Sequence, residues 1–170
     1  MSEQLVLLDT GPIVALLHKG DSHHAACVEE AKRLKRRQLL TTWPVLTEAA
    51  WLLRTRPRAV GKLLAATAAG TFQLAALEAS AASWIADFFE RYSDREPQLA
   101  DATLVYLAEQ RDIETVFTVD RTGFSVYRTR AENASPNAPL KFALGEEPDF
   151  PLRRYLSHLR AARRLRCRFP

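Results

Sequence analysis

The chain has 170 residues, 47% of them hydrophobic and 26% charged, which fits one soluble globular domain and excludes a disordered, collagen-like or coiled-coil protein. It is long enough to close one core without disulfides or structural metal, and it contains no apolar run of the ~18 residues that a membrane span needs. Its net charge of +4 is unevenly spread: residues 151–170 hold seven arginines and no acid, which leaves residues 1–150 at −3.

The apolar run Leu5-Leu8 reads as a buried strand that ends at Asp9. Gly11 and Pro12 then turn the chain into a helix over about Ile13 to Leu17. Asp21 or Ser22 caps a second helix to about Arg37, whose run Lys32-Arg33-Lys35-Arg36-Arg37 reads as a solvated face and a cation-rich helix end. Leu39–Thr42 reads as a second strand. Pro44 opens a helix to about Arg54, and Pro57 opens another to about Ala69. Phe72–Ala75 is a third short strand, followed by helices from Ser80 or Ala81 to Tyr92 and from Pro97 to about Arg111. Thr115–Val119 is rich in β-branched residues and reads as a strand ending at Asp120. Strands alternating with helices imply an α/β fold with a mostly parallel sheet flanked by helices. Beyond about Arg130 the pattern degrades into loop chemistry over Asn133–Pro139 and a short basic amphipathic helix over Pro151–Arg166. We therefore divide the chain into a domain at 1–130 and a basic C-terminal extension at 131–170. A basic tail of this kind suits a polyanion, or simply a solvated terminus.

Four carboxylates break the hydrophobic pattern. Asp9 and Asp120 follow the C-terminal ends of strands, where open parallel sheets form their ligand crevices. Either alone could be an ordinary cap or loop residue. Glu48 has Val45, Trp51 and Leu52 as its neighbours three and four residues away, so it lies on or beside an apolar helix face. Asp101 has Leu104, Val105 and Ala108 in the same relation. A buried carboxylate is costly unless it is paired with a cation, engaged at a helix end or bound to metal. Brought together, the four would form an oxygen-rich, negative pocket in which like charges raise each other's pKa until a cation compensates. Hard divalent ions, Mg²⁺ or Mn²⁺, suit such donors. The corresponding reaction class is metal-assisted phosphodiester hydrolysis, with no side-chain nucleophile.

The segments Leu7-Leu8-Asp9-Thr10-Gly11, Pro44-Val45-Leu46-Thr47-Glu48, Leu99-Ala100-Asp101-Ala102 and Thr118-Val119-Asp120-Arg121 are colinear over roughly residues 5–128. In this order and with these flanks they resemble a PIN-domain nuclease, and are most similar to ribonuclease toxins of VapC type. The resemblance implies a three-layer α/β sandwich and an Mg²⁺- or Mn²⁺-dependent endoribonuclease. It also implies RNA as substrate, a homodimer and a cognate antitoxin that occludes the cleft. By position it makes Asp9, Glu48, Asp101 and Asp120 the catalytic and metal-binding acids. Thr118 takes the place of a polar residue that orients a carboxylate or water. Asp94 matches a position that is often acidic and stands as a secondary candidate. The chain beyond about Arg130 runs past the compact toxin pattern, which keeps open a PIN nuclease of RNA processing that is not a toxin.

Other readings start from the same residues. Asp9-Thr10-Gly11 spells the aspartic-protease signature, but it occurs once, in a chain too helical for that fold. A phosphoaspartate phosphatase needs a second aspartate at position 11, which is Gly. A catalytically silent RNA-binding scaffold has no use for buried negative charge. His18, His23 and His24 are close in sequence, but no spaced Cys/His set accompanies them, so they read as surface residues. Trp43, Trp51 and Trp84 read as core or interface, with Trp43 also placed to stack on a base. Cys27 reads as a small buried hydrophobe. Cys27 and Cys167 show no reason to meet, and Met1-Ser2-Glu3-Gln4 lacks a basic leader. We therefore expect a reduced, cytoplasmic protein without a signal peptide.

Overall fold

The computed structural model describes residues 5–129 and 140–144. The expected loop at Asn133–Pro139 and the basic helix at Pro151–Arg166 lie outside these residues. Five strands form one sheet in the order β3-β2-β1-β4-β5, and every pairing is parallel. The strands are β1 (Leu5–Leu8), β2 (Gln38–Thr41), β3 (Gln73–Leu74), β4 (Thr115–Phe117) and β5 (Lys141–Phe142). Seven α-helices join them among the described residues: α1 (Thr10–Leu17), α2 (His24–Arg33), α3 (Trp43–Leu52), α4 (Pro57–Ala68), α5 (Ala81–Arg91), α6 (Leu99–Arg111) and α7 (Arg121–Val126). None of these helices is long and apolar enough to cross a membrane.

The order of the strands explains where the site lies. The chain steps outward from β1 to β2 to β3, then returns to place β4 on the other side of β1. Right-handed crossovers stepping in opposite directions put their helices on opposite faces, which gives a three-layer α/β sandwich. The reversal also makes the gap between β1 and β4 the topological switch point, where crevices form at the C-terminal strand ends. Val6, Leu7, Val116 and Phe117 are completely buried. This two-sided burial is why β1 reads as a continuous apolar run rather than an alternation. Leu104, Val105, Leu107 and Ala108 of α6 and Val45, Leu46 and Ala49 of α3 join the same core.

Several boundaries differ from expectation, each for a local reason. The first helix begins at Thr10 rather than Ile13, because the Asp9 side chain caps it by accepting from the Thr10 N–H. α2 stops at Arg33, and a 3-10 turn over Leu34–Arg36 replaces its expected last turn. α6 begins at Leu99 rather than Pro97. Glu96 adopts φ 51°, which turns the chain there, and the extended Gln98 caps the helix. β4 ends two residues early because Thr118 turns the backbone, its hydroxyl accepting from the Asp120 N–H at 2.9 Å. The helix α7 and strand β5 have no counterpart in the sequence reading. β5 follows the boundary drawn at residue 130, yet it extends the same sheet, the Lys141 N–H donating to the Glu114 carbonyl and the Ala143 N–H to that of Val116.

Candidate active site

Asp9 stands at the root of the site. Its backbone still follows the sheet, the N–H donating to the Phe117 carbonyl at 3.0 Å. Its side chain is 6% exposed, and both oxygens are engaged. Oδ1 accepts from the Thr10 N–H at 2.6 Å and Oδ2 from the Thr118 hydroxyl at 2.7 Å. One threonine thus ties together the two acids that follow the switch-point strands, donating to Asp9 and accepting from the Asp120 backbone. Asp120 in turn caps α7, with its Oδ1 accepting from the Gly123 N–H at 2.8 Å.

The other two acids come from helices. Glu48, on the second turn of α3, is half-buried, and its Oε2 accepts from the Thr10 hydroxyl at 2.9 Å. That contact links α3 to the start of α1. Asp101 lies in the first turn of α6, and its Oδ2 accepts from the Tyr127 hydroxyl at 3.1 Å. The starts of α3 and α6 are held together by the Thr42 hydroxyl, which donates to Thr103 Oγ1 at 2.8 Å, while Thr103 donates to the Ala100 carbonyl. Tyr127 is held by packing against Phe88, Tyr92 and Phe124.

The electrostatics are those of buried carboxylates that repel one another. Burial, more than any other influence, pushes the Asp9 carboxyl up from 3.8 to about 6, and the charges of Glu48 and Asp120 add to it. The hydrogen bonds from Thr118 and Thr10 hold it back. Asp101 is raised well above the carboxylate range, first by burial and then by Asp9 and Glu48, against the Tyr127 hydrogen bond. Burial also raises Glu48, with the Thr10 hydroxyl opposing. Asp101 feels all three of the other acids, so Asp9, Glu48, Asp101 and Asp120 form one electrostatic cluster. Among the described residues no Lys, Arg or His forms an ion pair with any of the four.

The donor set fits a hard divalent ion in chemistry and charge: it is all oxygen, strongly negative and uncompensated. Among the described residues no three acidic, His or Cys side chains stand close enough to grasp one ion together as they lie. The hydroxyls of Thr10 and Thr118 are both spent as donors to carboxylates, so neither is poised as a nucleophile.

The structure does not bring the remaining candidate to this cluster. Asp94 sits on an exposed 3-10 turn before α6 and pairs with its neighbour Arg95 at 3.1 Å. The histidines, expected at the surface, are partly buried: the His24 ring bonds the Ala15 carbonyl, and His23 lies beside Asp21. Cys27 is fully buried, and burial pushes its thiol up to about 12, so it is inert. The tryptophans divide. Trp84 stacks on Phe88 and bonds Glu109, but Trp43 and Trp51 are 57% and 53% exposed rather than core. Sequence reasoning missed Thr10 and Tyr127 as supports of Glu48 and Asp101. The Asp120-x-x-Gly123 spacing, with an aspartate ahead of a helix start, was the available signal for α7 and hence for Tyr127 behind it.

Comparison with known proteins agrees with this arrangement. The PIN domain family matches residues 6–129. Ribonuclease VapC26 of Mycobacterium tuberculosis is 30% identical over 125 residues, covering 72% of this chain and 92% of that protein. The crystal structure of M. tuberculosis VapC20, a toxin that cleaves the sarcin-ricin loop, superposes with a TM-score of 0.61 at 23% identity. It covers 69% of this chain and 92% of the other, and supports the fold. With four acids at the switch point of a parallel sheet and this extent of similarity, the chain belongs to the PIN-domain family of nucleases, alongside the VapC-type ribonucleases.

Proposed function

We propose that this protein is an Mg²⁺- or Mn²⁺-dependent endoribonuclease, the toxin of a type II toxin–antitoxin system, in which Asp9, Glu48, Asp101 and Asp120 hold the metal and carry catalysis. The observation that carries this reading is the gathering of four partly or wholly buried carboxylates, with no ion pair to a Lys, Arg or His among the described residues, at the C-terminal ends of β1 and β4. A divalent ion bound there would activate water and screen the charge developing on the phosphodiester. The chain's own work is to hold its ligands still before the substrate arrives. Thr118 fixes Asp9 to the backbone of Asp120, Thr10 fixes Glu48, and Tyr127 fixes Asp101. Each donor offers a hydrogen to the ionised carboxylate and so favours the charged form that a metal needs. The Asp9 carboxyl, pushed up to about 6, can also take up a proton as pH falls toward that value.

The same reading extends to partners. Trp43 and Trp51 lie on one side of α3, eight residues apart, and with Leu99 of α6 they are the large apolar side chains most exposed near the site's two helices. Such a surface supports a homodimer. The VapC relatives support a cognate antitoxin, and a cytoplasmic location follows from that role. The deciding experiment incubates structured RNA with the protein in Mg²⁺, in Mn²⁺ and in chelator, beside Asp101→Asn. Internal cleavage that needs the metal and drops at least 100-fold in the variant is expected. Metal-independent cleavage, an equally active variant, or rapid turnover of a phosphomonoester would overturn it.

A further inference from the structure

At the opposite end of the sheet from the acids, the N-terminal ends of β2 and β3 open into a polar cleft of about 290 Å³. Its charged and polar lining is Lys35, Arg36, Arg37, Gln38, Thr71 and Gln73, with no acidic residue. This is unusual in a body whose net charge is −3 over residues 1–150. The cations just upstream are neutralised on α2 itself, Lys32 by Glu29 and Arg33 by Glu30. Lys35 and Arg36 are exposed and have no ion pair among the described residues. The side chains of Gln38, Thr71 and Gln73 make no hydrogen bond there either. The cleft is therefore concave and positively charged, and among the described residues Lys35, Arg36, Gln38, Thr71 and Gln73 bring it donors that no side-chain partner takes up.

We infer that this cleft is a second, non-catalytic phosphate site that grips the backbone of the RNA substrate away from the scissile bond. The inference rests on the nuclease reading for the identity of the polyanion. Two charged donors that meet a phosphate oxygen, flanked by amide and hydroxyl donors, are what phosphate contacts use. The distance suits one substrate. β2 runs from Gln38 at the cleft to Thr41 at the acid end, three steps of about 3.3 Å each. An RNA a few nucleotides longer than the cleaved step can reach both, whereas a very short one cannot. The basic run of α2's end thus acquires a function beyond solvation and helix-dipole complementarity.

The test measures RNA affinity by the full-length protein in chelator, so that binding is read without cleavage. The variants are Lys35→Ala/Arg36→Ala, and Thr71→Val. Each phosphate contact adds ~0.7 to the salt slope of a single strand, so losing two should lower the slope by about 1.4. Between about 50 and about 200 mM salt, the loss of affinity should then be about sevenfold smaller than in wild type. Thr71→Val should weaken binding with the slope unchanged, because it removes a donor and no charge. Neither variant should alter affinity for an oligonucleotide too short to span the two ends, nor its kcat with metal. An unchanged slope on long RNA overturns the proposal. So does an equal loss on long and short RNA, which would mean a diffuse field rather than a cleft. The nuclease reading fails separately, if wild type does not cleave the short oligonucleotide with Mg²⁺ or Mn²⁺.

Discussion

Replacing Asp9 by Asn should stabilise the metal-free protein at alkaline pH and do nothing for it in acid. The Asp9 carboxyl titrates near 6 in the folded chain and near 3.8 when exposed. Below about 3.8 it is protonated in both states and costs the fold nothing. As pH rises, the unfolded chain loses its proton first, and the folded state is penalised until pH passes about 6. At about 1.36 kcal/mol per pH unit of displacement, the full penalty is about 3 kcal/mol. Asn is neutral and escapes it. Its Oδ1 still accepts from the Thr10 N–H, but it forfeits the charge-assisted bond from Thr118, a loss of about 1 kcal/mol. The net gain at pH 8 is about 2 kcal/mol, or ~4–8 °C in Tm for a domain of this size. Thermal unfolding in EDTA from pH 4 to pH 8 reads it directly. The Tm difference should open between about pH 4 and 6 and then level off, while RNA cleavage with metal is lost at every pH. A variant that melts at or below wild type at pH 8, or one whose gain is the same at pH 4, would refute the argument that buried charge strains this site.

Thr118→Val keeps the shape of a fully buried side chain but strips its donor to Asp9 and its acceptor for Asp120. It should cost about 2–3 kcal/mol of stability and lower cleavage more than tenfold, while Thr118→Ser restores most of both, as read by melting curves and cleavage rates. Tyr127→Phe removes the hydrogen bond that favours ionised Asp101. The acid limb of the pH–rate profile should move to higher pH, with a stability loss of only about 1 kcal/mol. Gly11→Ala should lower Tm, because the new Cβ would meet Val119 Cγ2 at 2.2 Å. A cost of about 1–3 kcal/mol is expected from such overpacking, and Val119→Ala in the same chain should recover part of it.

Much of the site is written locally, and what is not local was not legible. Asp9 and Asp120 announce themselves because each ends an apolar run. Glu48 and Asp101 do so because helical spacing puts them beside apolar neighbours. Their convergence depends on the strand order, and no single segment encodes the step from β3 back across β1. The supports were hidden for the same reason. Thr10 and Tyr127 are ordinary residues whose partners lie 38 and 26 positions away. Asp94 lies on an exposed turn paired with Arg95, and a match in sequence carries no information about which way such a turn faces. Of the core and interface readings open for Trp43 and Trp51, exposure leaves the interface, because α3 turns its small and aliphatic side chains inward. The edge strand β5 is two residues long and carries too little pattern to be seen without the β4 ladder it joins.

The triplet Asp9-Thr10-Gly11 also bears on how such a protein can change. Three unrelated enzyme chemistries begin with an aspartate behind a strand, and the letters that follow tell them apart. Here the third letter is set by space: the start of α1 presses so closely on Val119 that no side chain fits at position 11 unless Val119 moves. A phosphoaspartate enzyme would need a carboxylate there. A drift toward phosphatase chemistry would therefore have to prise the first helix away from the residue preceding Asp120, and in doing so would pull apart the Asp9–Thr118–Asp120 chain of contacts. The contact between Gly11 and Val119 acts as a ratchet on evolutionary history, favouring phosphodiester work on this scaffold by making the first step toward the neighbouring chemistry sterically costly.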